Sequence, residues 1–90
     1  MYAVEFTEDA KNDVLLLQRK APEALKKLAK LLPELREHPR TGTGQVERLK
    51  HFKNETWSRR ISQEHRLVYE IHDDKVLVLV ISSYGHYDDK

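Results

Sequence analysis

An α+β fold is predicted, with two N-terminal helices packed on one face of a mostly antiparallel sheet. Helical periodicity dominates the first half of the chain, and strand patterns dominate the second half, after the loop at residues 38–44. Residues 75–82 are apolar on both faces and predict a central, buried strand. Two helices can cover only one face of such a sheet, so the other face is free to carry charge.

The N-terminal half predicts one strand and two helices. Residues 2–6 alternate as a strand does, and Thr7 is suited to cap a helix that runs to about Lys20. The two acidic residues after Thr7 favour the positive end of the helix dipole. Pro22 occupies a permitted position in the first turn of a second helix, whose leucines recur at helical spacing. Pro33 is expected to kink that helix or to split off its last turn.

The C-terminal half predicts a run of antiparallel strands. Residues 46–50, 56–62 and 66–71 form the strands that precede the buried one, and residues 72–75 form a tight turn between the last two. Gly42 and Gly44 lack the spacing of a phosphate-binding loop and are interpreted as ordinary loop positions.

Length and composition predict a single domain covering residues 1–90 and exclude several classes of protein. The chain is 39% hydrophobic and 34% charged, which is too apolar for disorder and too charged for a membrane protein. It has no cysteine, which excludes disulfides and thiolate metal sites. Its longest apolar run is too short to span a bilayer, and its N-terminus lacks the pattern of a signal peptide. A cytoplasmic protein is therefore predicted.

Positive charge is concentrated within a nearly neutral chain. The net charge is +1, but residues 47–66 carry six basic side chains against three acidic ones. A local basic surface suits a polyanionic ligand held at one site. An ordinary solvated, charged face is the alternative interpretation of the same residues.

Three residues in the second half could together cleave RNA without a metal ion. Glu47 could take the proton of a ribose 2′-hydroxyl, Arg66 could stabilise charge on phosphorus, and His86 could protonate the departing oxygen. They come from three parts of one predicted sheet, so they could converge, although each alone also fits an exposed surface position. The histidines lack zinc-ligand spacing, and no metal or cofactor is predicted. Trp57 is predicted to be a core residue rather than a base-stacking platform.

The sequence resembles the YoeB/Txe toxins of the RelE superfamily over essentially its whole length. The resemblance rests on ERLKH at residues 47–51, WSRRI at 57–61, EHRLVY at 64–69 and GHY at 85–87. It implies a RelE-like fold and cleavage of messenger RNA in the ribosomal A site. It also implies neutralisation by a cognate antitoxin of the YefM/Axe kind, whose C-terminal segment wraps the toxin, and it allows a homodimer.

The resemblance also implies roles for individual residues. Glu47 would be the general base, Arg66 the stabilising cation and His86 the general acid. Further RNA contacts would come from Lys50, His51, Arg59 and Tyr87.

Two departures from the family pattern and two alternative functions remain. Glu55 and Thr56 stand where family members often have glycine, which places a negative charge near the expected RNA path. Asp88 and Asp89 follow the His-Tyr pair as an acidic tail. ParE-like relatives share the fold but inhibit DNA gyrase through protein binding, and an RNA-binding module without catalysis would use the same basic residues.

Overall fold

The computed structural model describes residues 1–85, which form two helices and five strands in the predicted order. The elements are β1 (Ala3–Phe6), α1 (Glu8–Lys20), α2 (Pro22–Glu37), β2 (Glu47–Leu49), β3 (Thr56–Arg60), β4 (Arg66–His72) and β5 (Leu77–Ser82), with a 3₁₀ turn at Asp73–Lys75 before β5.

The strands form one sheet in the order β1-β5-β4-β3-β2. Strands β2 to β5 are antiparallel neighbours, whereas β1 pairs in parallel with β5. Strand β5 therefore lies inside the sheet, between β4 and β1, which confirms the prediction of an interior strand. The helices are the connection that carries the chain from β1 back to the far edge of the sheet.

The helix boundaries follow from local chemistry, with one exception. The Thr7 hydroxyl accepts a hydrogen bond from the Ala10 amide at 3.1 Å, so the predicted cap of α1 is present. Helix α2 begins at Pro22 and continues through Pro33 to Glu37, so of the two outcomes expected at Pro33, a kink or a split, the split does not occur. The Tyr2 amide donates to the Arg36 carbonyl at 2.8 Å, which satisfies one of the last carbonyls of α2 from outside the helix.

The core lies between the helices and one face of the sheet. Each helix contributes an apolar stripe, and β4 and β5 contribute alternating residues. The buried apolar residues of this layer are Ala10, Leu17, Ala24, Leu28, Leu31, Leu35, Ile61, Leu67, Tyr69, Ile71, Val78 and Val80. The predicted layering of two helices on one sheet face is therefore confirmed. Among the described residues, no helix is long and apolar enough to cross a membrane.

The opposite sheet face, called the open face here, carries mostly polar side chains. Because directly paired residues of antiparallel strands share a face, the strand register places Glu47, Ser58 and Val68 in one row across the sheet. Arg60 and Arg66 form the next pair on the same face. The architecture therefore separates an apolar face, covered by helices, from a face that carries the predicted functional residues.

Candidate active site

Glu47 and Arg66 meet on the open face, although 18 residues separate them in the chain. Arg66 Nη2 lies 4.0 Å from Glu47 Oε1. Two of the three residues predicted to do acid–base chemistry are thus brought together by the pairing of β2, β3 and β4. Glu47 is at the sheet edge with 67% of its side chain exposed, whereas the Arg66 side chain is only 14% exposed.

Arg66 is fixed by partners that the sequence did not indicate. Its Nε and Nη2 donate to the Ser58 hydroxyl at 3.3 and 3.0 Å, and Nη2 also donates to the Gln45 carbonyl at 3.2 Å. Gln45 has a positive φ of 52°, so the loop before β2 turns its carbonyl toward the arginine through an uncommon backbone conformation. The guanidinium is therefore oriented before any ligand arrives, while the nearby carboxylate stays accessible.

The described chain ends beside the same arginine. The Arg66 amide donates to the Gly85 carbonyl at 2.9 Å. His86 follows Gly85 directly in the sequence. The predictions made for His86 and Tyr87 lie outside the described residues.

Arg59 does not occupy the position predicted for it. Its side chain is completely buried on the helix side of the sheet, where Nη1 donates to Glu34 Oε1 at 2.9 Å. Nη2 donates to the carbonyls of His38 and Thr41 at 3.1 and 2.8 Å. The predicted phosphate contact is therefore wrong for this structure, because Arg59 has no surface to offer. The alternation along β3 turns this residue inward and its neighbour outward.

Arg60 is the neighbour that faces outward. It is exposed, and it pairs directly with Arg66 in the strand register, so both arginines belong to the open face. Strand parity shows from sequence that Arg59 and Arg60 point to opposite faces, but it does not show which face the helices cover. Only the structure, in which Arg59 is buried and Arg60 is exposed, shows which arginine lies on the covered face.

The predicted RNA contacts Lys50 and His51 lie just after β2 and are both exposed. They belong to the segment 48–55, which lines an open cavity of about 420 Å³. His51 has a positive φ of 70°, a left-handed conformation that non-glycine residues adopt uncommonly. The segment contains four basic or potentially basic side chains, namely Arg48, Lys50, His51 and Lys53. It therefore extends the positive charge of the site along the sheet edge.

The negative charge of Glu55 is paired with an arginine from outside this segment. The Arg40 guanidinium clamps its carboxylate through two bonds, from Nε at 2.8 Å and from Nη2 at 3.0 Å. The Trp57 indole N–H donates to the same carboxylate at 2.8 Å. These bonds, led by that of Arg40, hold the pKa of Glu55 below its usual range. Trp57 packs against the core, as predicted.

Among residues 1–85, no three His, Asp or Glu side chains lie close enough together to hold a metal ion. On one sheet face, this part of the site presents the exposed carboxylate of Glu47 and the fixed, mostly buried guanidinium of Arg66. The guanidinium of Arg60, which is exposed, lies on the same face. That combination suits proton transfer beside a phosphate group whose negative charge increases during reaction.

Known proteins are similar to this chain in sequence and architecture. A family model described as "YoeB-like toxin of bacterial type II toxin-antitoxin system" matches residues 6–87. The toxin YoeB of Escherichia coli K12 is 40% identical over 73 residues, which are 81% of this chain and 87% of that protein.

Solved structures of toxins are also similar to this chain in fold. A YoeB/ParE toxin from Agrobacterium tumefaciens superposes with a TM-score of 0.85 at 30% identity, covering 94% of this chain and 99% of that one. A YoeB dimer from Staphylococcus aureus gives 0.81 at 31% identity, covering 96% and 98%. A heterotetrameric YoeB–YefM toxin–antitoxin complex from the same organism gives 0.78 at 31% identity, covering 97% and 99%.

Proposed function

Since the chain belongs to the YoeB-like toxin family of bacterial type II toxin–antitoxin systems, we propose that it is a ribosome-dependent endoribonuclease that cuts messenger RNA in the A site without a metal ion. The observation that carries the proposal is the pairing of Glu47 with Arg66 on the open face, at 4.0 Å. Acid–base cleavage of a phosphodiester needs a proton acceptor and a fixed cation side by side.

In the proposed reaction, Glu47 removes the proton of the ribose 2′-hydroxyl, and the 2′-oxygen forms a bond to phosphorus. The bond between phosphorus and the 5′-oxygen breaks, and His86 gives that oxygen a proton. The products are a 2′,3′-cyclic phosphate and a free 5′-hydroxyl, so neither water nor a redox partner enters this step. The exposure of Glu47 supports its role, because the base must reach a hydroxyl that the ribosome presents.

Arg66 supplies the positive charge that the phosphorus centre needs as its oxygens gain charge. The bonds to Ser58 and Gln45 fix the guanidinium in advance, so little reorganisation accompanies the reaction. Arg60 takes the place first assigned to Arg59 as a phosphate contact, because it is exposed beside Arg66. Lys50 and His51 extend the RNA contact along the sheet edge, and Tyr87 positions the RNA beside the acid.

The proposed partners follow from the family and from the substrate. A YefM-like antitoxin would neutralise the protein, as YefM assembles with YoeB in the Staphylococcus aureus complex. A homodimer is proposed by the same route, from the YoeB dimer of that organism. Action on translating ribosomes would place the protein in the cytoplasm.

Primer extension on a defined message in a purified translation system tests the proposal. The wild-type protein should cut only when ribosomes are present, and both Glu47→Gln and His86→Gln should reduce cleavage to a small residual rate. Glu37→Gln is a matched control, because Glu37 is an exposed carboxylate at the end of α2 and has no role in the proposed reaction. An intact message with folded wild-type protein would instead support inhibition of gyrase or RNA binding without catalysis, which supercoiling and binding assays separate.

A further inference from the structure

Two consecutive residues at the beginning of β4, His65 and Arg66, hold the backbone of Gly85. Its amide donates to His65 Nδ1 at 2.9 Å, and its carbonyl accepts from the Arg66 amide at 2.9 Å. A ring nitrogen is an unusual acceptor for a backbone amide, because most buried amides in proteins bond to carbonyl oxygens. The side chain of His65 therefore provides a bond that ordinary strand pairing would have supplied through the backbone.

His65 is well placed for this, since it is only 7% exposed. Its ring lies against the Tyr84 ring, with centroids 4.6 Å apart and an angle of 34° between the planes. Its carbonyl accepts from the amides of Ile61 and Ser62 at 2.9 and 3.1 Å, which fixes the backbone of the turn between β3 and β4. Neither the ring nor its backbone can move away from Gly85 without breaking these contacts.

The contact also fixes the chemical form of the ring. An amide nitrogen can only donate, so His65 Nδ1 must carry a lone pair, and the neutral ring must hold its proton on Nε2. A protonated imidazolium would place a second hydrogen against the Gly85 amide. The hydrogen bond therefore requires one tautomer of neutral histidine.

The chain leading to Gly85 is anchored as well. The Ser83 amide donates to Asp13 Oδ2 at 3.1 Å, and the Ser83 hydroxyl donates to the Ala10 carbonyl at 3.3 Å. Helix α1 thus fixes residue 83, and His65 with Arg66 fixes residue 85. These two anchors, two residues apart, fix the backbone of Gly85, which directly precedes His86 in the sequence.

We propose that His65 is a positioning residue, which sets the point of departure of His86 relative to Arg66. The backbone of Arg66 holds Gly85, while its side chain faces Glu47, so one residue relates the acid, the cation and the base. His65 locks that relation through the amide of the residue directly before the acid. The catalytic consequence depends on the function proposed above for His86, but the hydrogen bond itself does not.

The first test is nuclear magnetic resonance on the isotope-labelled full chain. A scalar coupling across the hydrogen bond, between the Gly85 amide nitrogen and His65 Nδ1, is expected, together with an Nδ1 chemical shift typical of an unprotonated nitrogen. A protonated Nδ1 without coupling to Gly85 would overturn the proposal. This measurement needs neither ribosomes nor catalysis.

The second test compares two substitutions in the reconstituted cleavage assay. His65→Leu keeps the bulk of the ring without an acceptor, whereas His65→Asn places an amide oxygen near the position of Nδ1. The single-turnover rate should fall by about 100-fold in His65→Leu, the effect of a misplacement of about 1 Å, with ribosome binding unchanged. His65→Asn should recover most of the rate. His38→Leu is the matched control, since His38 is exposed.

A double substitution separates positioning from a general loss of structure. If His65 acts through residue 86, His65→Leu should lower the residual rate of the His86→Gln protein very little. An equal fold-change in both backgrounds, or full activity of His65→Leu, would overturn the proposal. If the wild-type protein cuts no message at all, the proposed function fails, and the coupling alone decides whether His65 holds Gly85.

Discussion

Replacing Arg59 with methionine should destabilise the protein far more than the same change at Arg60, although the two arginines are adjacent. Methionine keeps most of the aliphatic length of arginine and removes the guanidinium. At Arg59 this breaks the ion pair between a fully buried guanidinium and the partly exposed Glu34, and it removes the donor to the His38 and Thr41 carbonyls. At Arg60 the side chain is exposed, so its removal leaves no buried group without a partner.

The size of the difference follows from burial. Removing one partner of a buried ion pair destabilises a protein by about 3–5 kcal/mol. Because Glu34 is 34% exposed, we expect the lower end, about 3 kcal/mol, whereas exposed substitutions usually change stability by less than about 0.5 kcal/mol. A chain of 90 residues is stable by about 5–13 kcal/mol in total. The midpoint of thermal unfolding falls by about 4–8 °C per kcal/mol in domains of this size. Arg59→Met should therefore lower the midpoint by about 12–24 °C.

Thermal and urea unfolding followed by circular dichroism measure both variants against the wild type. Arg60→Met should unfold within a few degrees of the wild type, at about 4 °C or less, yet cleave message more slowly in the translation assay. An Arg59→Met protein as stable as Arg60→Met would refute the reasoning, because the guanidinium would then contribute nothing to the fold.

Three further predictions concern the loop beside Arg59 and two titrating groups. Gly44→Ala should destabilise the fold by about 1–3 kcal/mol in urea unfolding, because φ is +99° and the new Cβ would lie 2.7 Å from the Arg60 carbonyl oxygen; an unchanged midpoint would contradict this. Arg40 lowers the folded-state pKa of Glu55, so the stabilisation is present above the ordinary glutamate pKa of about 4.3 and is lost as pH falls through the lowered value. The stability advantage of the wild type over Glu55→Gln should accordingly shrink between about pH 5 and pH 3, and a constant difference would exclude this origin. Burial raises the folded-state pKa of Tyr69, so the unfolded chain loses this proton first and stability should fall above about pH 10. In Tyr69→Phe that alkaline decrease should be smaller when melts are compared from neutral to alkaline pH.

The order of elements and the layering were predictable because they depend on local patterns. The cap at Thr7, the apolar stripes of the helices and the interior position of residues 77–82 each follow from residue types at fixed spacing. The sequence allowed Glu47 and Arg66 to lie close together but did not require it, because their contact depends on the register of β2, β3 and β4. No local pattern specifies which residues of two strands lie opposite each other.

What the sequence misassigned or left open has one common cause, which is contact between segments distant in the chain. Arg59 was assigned to RNA because the covered face of β3 depends on where α2 packs. Helix α2 continues beyond Pro33, and the Arg36 carbonyl in its last turn accepts a hydrogen bond from the Tyr2 amide, which precedes both helices in the chain. The charge of Glu55 is compensated by its ion pair with Arg40, and the residues beside Glu55 in the sequence do not indicate this pairing. Gly42 and Gly44 make room for the Arg59 side chain, which gives a specific purpose to residues that sequence alone marked only as a loop.

The parallel pairing of β1 with β5 determines the order in which the molecule can assemble. Ala3 pairs with Leu77, so the first strand of the sheet along the chain has its partner in the last strand of the sheet. Contacts this distant along a chain form late, since a long loop must close before they contribute. Strands β2, β3 and β4 are joined by short turns and can pair early, which brings Glu47 to Arg66 before the core is complete. Until β5 inserts between β4 and β1, the apolar stripes of both helices lack the sheet that covers them, so the core of this domain closes only after β5 has been synthesised.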